Sequence, residues 1–138
     1  MNWLTLQTKK AADLPAVLIV EDDEGMRDVL TRGLSMFGYK PLIADDAETA
    51  MGLLSNQPQV ALVDVHLPGA NGLWLGDQIR AASPTTAIIF ATGNRRLPAT
   101  ETLKPHVVAY LVKPFSMEKL REAVERGVEW SEGRRRGM

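Results

Sequence analysis

Four apolar runs in this sequence end in side chains able to act together on a phosphorus centre. Glu21-Asp22-Asp23 closes the first run, Asp64 the second, Thr92 the third and Lys113-Pro114 the fourth. Carboxylates about 4 Å apart repel by roughly 1–4 kcal/mol per pair even when well screened. A hard divalent cation relieves that repulsion, and Mg²⁺ takes a few carboxylates together with waters and phosphate oxygens. A carboxylate held rigidly at a strand end can serve as an oxygen nucleophile. Phosphoryl transfer needs chiefly positioning and neutralisation of the equatorial oxygens. Here the Lys113 ammonium would supply charge. The Thr92 hydroxyl and the backbone amides after Asp64 would supply hydrogen bonds.

These residues meet only if the elements carrying them line up. Ala16-Val17-Leu18-Ile19-Val20 is a continuous apolar run, the pattern of a strand covered on both faces. Met26, Val29, Leu30, Leu34 and Phe37 then recur at helical spacing, with Gly38 placed as a C-terminal cap. Residues 40–44 read as a weak second strand, and Pro41 puts it at a sheet edge because it cannot donate to a ladder. Asp45 with Glu48 reads as a capping box for a helix through Leu54. Residues 60–65, 87–91 and 107–112 are the remaining strands, and residues 73–82 form a helix after the turn-rich Pro68-Gly69-Ala70-Asn71-Gly72. Pro98 and Pro105 leave little room for a helix across residues 92–106. Ser116 caps a final helix with Leu120, Ala123, Val124 and Val128 on one side.

Five strand–helix alternations predict an α/β fold, a flavodoxin-like doubly wound five-stranded parallel sheet of order 2-1-3-4-5 with helices on both faces. In such a sheet, ligand chemistry gathers at the carboxyl ends of the strands, next to the switch point between strands one and three. The acids, hydroxyl and amine above are the residues at those ends. Residues 1–15 read as an N-terminal extension, 16–130 as one domain, and 131–138, with Arg134, Arg135 and Arg136, as a frayed, solvated tail.

Composition narrows the class. The chain has 138 residues, 45% of them hydrophobic and 24% charged, as in an ordinary globular domain. Cysteine is absent, which excludes disulfides and thiolate metal sites. Sixteen basic residues face 17 acidic ones for a net charge of −1, which argues against direct nucleic-acid binding. The first residues lack the apolar core of a signal peptide, and no run is long enough to span a bilayer, so a cytoplasmic location away from membranes is expected.

Four motifs in this order resemble the receiver domains of two-component response regulators, of the chemotaxis-regulator type, from about Ala16 to Trp130. They are Val17-Leu18-Ile19-Val20-Glu21-Asp22-Asp23 with Met26-Arg27 downstream, Leu62-Val63-Asp64-Val65-His66-Leu67-Pro68-Gly69-Ala70-Asn71-Gly72, Phe90-Ala91-Thr92-Gly93, and Tyr110-Leu111-Val112-Lys113-Pro114-Phe115. The resemblance implies that Asp64 accepts the phosphoryl group of a phosphohistidine on a sensor histidine kinase or phosphotransfer protein. It also implies loss of that phosphate by hydrolysis at the same site. Such a domain catalyses its own phosphorylation and dephosphorylation without being a metabolic enzyme. By the same resemblance, Asp22 ligates Mg²⁺ directly, Glu21 directly or through water, and the His66 backbone carbonyl joins Asp64 in the metal shell. Lys113 pairs with the phosphoryl oxygens and precedes Pro114 through a cis peptide. Thr92 moves toward the phosphoryl group, and Tyr110 changes rotamer with it. Output is expected through a downstream protein target, with the domain as a stand-alone receiver and homodimer formation allowed.

The chain departs from the family pattern in places. Glu21 stands where many members have Asp, and Asn71 where Asp is frequent. The proline-interrupted stretch falls where members carry a regular fourth helix, which leaves the output surface open. Plainer readings attach to single residues. Asp23 reads as a helix cap, the His66 side chain lacks partner ligands, His106 reads as a loop residue, and Tyr110 alone fits an ordinary core position. Rival functions are a phosphate-independent binding module of the same fold, and a phosphate shuttle or sink. A haloacid-dehalogenase-like phosphatase would want a second Asp where His66 stands. A flavodoxin would want hydroxyls where the loop after strand one is acidic.

Overall fold

The computed structural model describes residues 13–93 and 104–137. Strand β1 (Ala16–Val20) leads into helix α1 (Glu24–Met36), followed by β2 (Lys40–Ala44) and α2 (Ala47–Gly52), which tightens into a 3₁₀ turn over Leu53–Asn56. Next come β3 (Val60–Asp64), α3 (Gly72–Ala82), β4 (Ala87–Thr92), β5 (Val107–Val112) and α4 (Met117–Arg135). The sheet order is β2-β1-β3-β4-β5 and every pairing is parallel, so the expected 2-1-3-4-5 order is observed. Pro41 lies on an edge strand, as its missing N–H requires.

Strand alternation divides the core into two layers. Val17, Ile19, Val60, Leu62 and Ile89 face α1 and α4, where Leu30, Leu34, Leu120 and Val124 meet them. Leu18, Val20, Ala61, Val63 and Phe90 face α2 and α3, where Ala50, Leu75 and Ile79 pack. β3 and β4 are buried from end to end and β1 from Val17 onward, which is why they read as unbroken apolar runs.

Local chemistry sets the element ends. Gly38 adopts φ +92° directly after the α1 terminus, a conformation that disfavours any side chain. Asp23 caps α1 by accepting the Met26 N–H at 2.7 Å, and Ser116 caps α4 by accepting from Lys119 N at 3.1 Å.

Several expectations are corrected. The cap of α2 is Asp46, which accepts from Thr49 N at 2.7 Å; a cap there leaves Asp45 one residue too early. Residues 66–67 pair with 70–71 in a two-residue antiparallel ladder, so the turn-rich segment from Pro68 to Gly72 is partly strand. The expected frayed tail is helical to Arg135. Ser131 is fully buried, and Arg135 reaches across to donate to the carbonyls of Gln57 at 3.0 Å and Pro58 at 3.3 Å. Tertiary anchoring of this kind is invisible to a pattern that sees only arginines. His106 lies in a turn as expected, but it is buried. Pro98 lies outside the described residues.

Candidate functional site

The site forms at the carboxyl edge of the sheet, where β1 and β3 stop side by side. Val20 pairs with Ala44 on one side and Val63 on the other, so the next residues, Glu21 and Asp64, emerge from adjacent strands. Glu21 stays in line because its N–H donates to the Ala44 carbonyl at 3.1 Å. Ligand oxygens of Glu21, Asp22 and Asp64 all lie within 4.8 Å of one another. Glu21 and Asp64 are buried and Asp22 is exposed, so the cluster opens to solvent on one side.

Lys113, delivered by the end of β5, closes the cluster. Its ammonium lies 3.2 Å from Glu21 Oε1 and 3.2 Å from Asp64 Oδ2, bridging two buried carboxylates. The backbone is tied as well: Lys113 N–H donates to the Thr92 carbonyl at 2.8 Å, and Lys113-Pro114 is a cis peptide as expected. Burial, the hydrogen bond to Asp64 and the Asp64 charge push the Glu21 carboxyl up to about 7, with Lys113 opposing them. Burial disfavours the Lys113 ammonium, but the Asp64 and Glu21 carboxylates outweigh it and hold Lys113 above its usual range.

Asp64 itself is fixed from two directions. Its Oδ1 accepts the His66 backbone N–H at 3.0 Å, so an amide after the strand already faces the carboxylate. Its backbone is pressed by the start of α3: a Cβ on Gly72 would overlap the Asp64 carbonyl oxygen and lie 2.7 Å from Val65 Cα. Only glycine permits that approach, and Gly72 N–H uses it to donate to Val65 O at 2.9 Å. Asn71, the departure from Asp noted above, caps α3 by accepting from Leu73 N at 2.8 Å. The His66 side chain is exposed.

Thr92 and Tyr110 lie on the two strands beyond β3. Thr92 is buried at the end of β4. By strand alternation it shares a sheet face with Phe90, whose ring lies 5.7 Å from that of Tyr110 at an interplanar angle of 34°. Tyr110 is half-buried on β5, packed against the layer that contains α3. The structure therefore brings together Glu21, Asp22, Asp64 and Lys113, with Thr92 at the end of β4 and Tyr110 within β5.

Sequence reasoning assigned no role to Arg27. Its guanidinium donates to the carbonyl oxygens of Glu21 at 3.0 Å and Asp22 at 2.8 Å. No pattern of residue types reports such a contact, since an arginine on the first turn of a helix reads as a solvated charge.

The fold is a doubly wound α/β sheet, with carboxylates and an ammonium converging at its switch point. The chain belongs to the response regulator receiver domain family, whose model matches residues 17–125. It is 32% identical over 108 residues to YrkP, an uncharacterized transcriptional regulatory protein of Bacillus subtilis (strain 168), a match covering 78% of this chain and 47% of that one. The chain thus spans less than half the length of that relative. A CheY-like receiver domain protein from Methanospirillum hungatei JF-1 superposes with a TM-score of 0.80 at 28% identity, covering 88% of this chain and 98% of that one. The response regulator TrrA from Thermotoga maritima, crystallised in complex with Mg(2+)-BeF, superposes with a TM-score of 0.74 at 25% identity, covering 83% and 99%. Among the described residues, no helix is long and apolar enough to cross a membrane.

Proposed function

We propose that this chain is a phosphorylation switch whose acceptor is Asp64. The observation that carries this reading is the Lys113 ammonium 3.2 Å from Asp64 Oδ2, with Glu21 and Asp22 grouped around the same carboxylate. In the transfer, an Asp64 oxygen forms a bond to phosphorus as the N–P bond of a phosphohistidine breaks, leaving the imidazole nitrogen with its electron pair. The donor would be a sensor histidine kinase or a phosphotransfer protein. Lys113 neutralises the phosphoryl oxygens, and the His66 N–H holds the carboxylate oriented.

The donor set fits a hard divalent cation, because the grouped ligand atoms are all carboxylate oxygens and one side of the cluster is open. Glu21, Asp22, Asp64 and the His66 carbonyl would hold Mg²⁺, and the relative captured with Mg(2+)-BeF supports that choice. When bound, the ion supplies positive charge for the transferring group.

Phosphorylation adds about −1.5 to −2 charges at Asp64. That charge draws Lys113 away from its share in Glu21, and it recruits the Thr92 hydroxyl. Tyr110, one strand over, follows and alters the β4–β5 surface. The signal then passes to a downstream protein in the cytoplasm.

Incubation with Mg²⁺ and a small phosphodonor, followed by intact mass measurement, tests the assignment. One phosphoryl mass is expected on the wild type and none on Asp64→Asn. An unchanged wild-type mass, or an equal gain on Asp64→Asn, would overturn it.

A further inference from the structure

We infer that Arg27 is a positioning residue for the metal-binding loop, setting Mg²⁺ affinity without touching the ion. The inference rests on the switch reading above and concerns the backbone under its acids. Residues 21–23 join the end of β1 to the start of α1, and all three of their carbonyl oxygens accept hydrogen bonds from one residue. Arg27 N–H donates to Asp23 O at 2.9 Å, the first helical bond of α1. Arg27 Nη1 carries two N–H bonds, and it donates to Glu21 O at 3.0 Å and Asp22 O at 2.8 Å. The carbonyls of the loop bearing two of the three grouped carboxylates are therefore gathered by one half-buried residue of α1.

The chemistry favours arginine at this place. A guanidinium is planar and always charged, and its donors are fixed in direction, so it can hold two successive carbonyls at once. Its positive charge also sits against carbonyl dipoles beside a cluster of negative groups. The α1 end of the clamp is itself held. Asp23 Oδ2 accepts from Met26 N at 2.7 Å, and Thr31 donates to the Arg27 carbonyl at 2.6 Å. Without the side chain, the Glu21 and Asp22 carbonyls turn to water, and their carboxylates lose the fixed spacing that a small octahedral ion demands.

Calorimetric titration of the full chain with Mg²⁺ alone tests this, using wild type, Arg27→Ala, Arg27→Gln and Arg126→Ala. Arg126 also donates to a carbonyl, that of Val108 at 3.2 Å, and serves as the control for losing one arginine. Loss of a partner that orients metal ligands typically weakens affinity by about 10–100-fold. Arg27→Ala is expected to weaken Mg²⁺ binding by about tenfold or more. Arg126→Ala should leave it unchanged. At saturating Mg²⁺, the phosphorylation rate of Arg27→Ala should return toward the wild-type value, since Asp64 and Lys113 are intact. A Mg²⁺ affinity of folded Arg27→Ala within about twofold of wild type would overturn the role of Arg27. If Arg27→Gln is the variant that folds, the same criterion applies to it, since its amide is uncharged and set on a shorter side chain than the guanidinium. No Mg²⁺ binding by the wild type would overturn the switch reading itself. Normal wild-type binding with an indifferent Arg27 variant would sink only the inference.

Discussion

Lys113 serves two buried carboxylates at once, and its removal leaves Glu21 and Asp64 facing each other without a cation. Lys113→Ala should slow phosphoryl uptake from a small donor by about 100-fold, the usual loss for one preorganised electrostatic partner; mass-resolved time courses measure it. Glu21 gives the site a pH signature. In metal-free protein its folded-state value of about 7 lies above the ordinary 4.5, so the folded chain holds that proton more tightly than the unfolded chain. The resulting stabilisation is complete below the unfolded value and is lost as pH rises through 7. Urea midpoints in a chelator should therefore fall between pH 5 and 8, and Glu21→Gln should flatten the fall. Equal slopes for the two proteins would contradict this account. The types and order of Glu21, Asp64 and Lys113 were legible because each terminates an apolar run. Arg27 and Gly72 were not, because their roles depend on distances to backbone atoms of other segments.

Helices α2 and α4 show how a local pattern misplaces an end. Two adjacent aspartates compete for the α2 cap, and Asp46 takes it, with its carboxyl held below the usual range by the Thr49 N–H. Asp46→Ala should destabilise the protein and Asp45→Ala should not, as thermal melts would show. At the other end of the chain, Arg135 fastens the last turn of α4 to the loop before β3. Its Nη2 shares the Pro58 carbonyl with the Thr86 hydroxyl, and its Nε donates to buried Ser131 at 3.3 Å. Arg135→Ala should cost about 1–2 kcal/mol, a typical net loss for hydrogen bonds from a charged donor. Denaturant titration would register it, and an unchanged midpoint would mean that the helix end is only grazing the loop.

The molecule joins its two core layers through one sheet, so whatever orders the strand ends stabilises the whole fold. Mg²⁺ that binds only the folded state should raise the melting temperature by mass action. At about 100 times its dissociation constant it adds roughly 2.7 kcal/mol. The shift should vanish in Asp22→Asn combined with Asp64→Asn, whose melting temperature should be indifferent to the ion. A persistent shift would place the metal elsewhere.

The sequence by itself determined the alternation of strands and helices, the edge position of β2 and the residue types waiting at each strand end. These follow from hydrophobic periodicity and from what proline cannot donate, both of which are local. Only the tertiary structure decided that Lys113 reaches two carboxylates, that Arg27 gathers three consecutive carbonyls, and that α4 continues past Trp130. Those contacts join residues far apart in the chain or bind side chain to backbone, and their strength depends on burial and on distances of about 3 Å that no run of letters encodes.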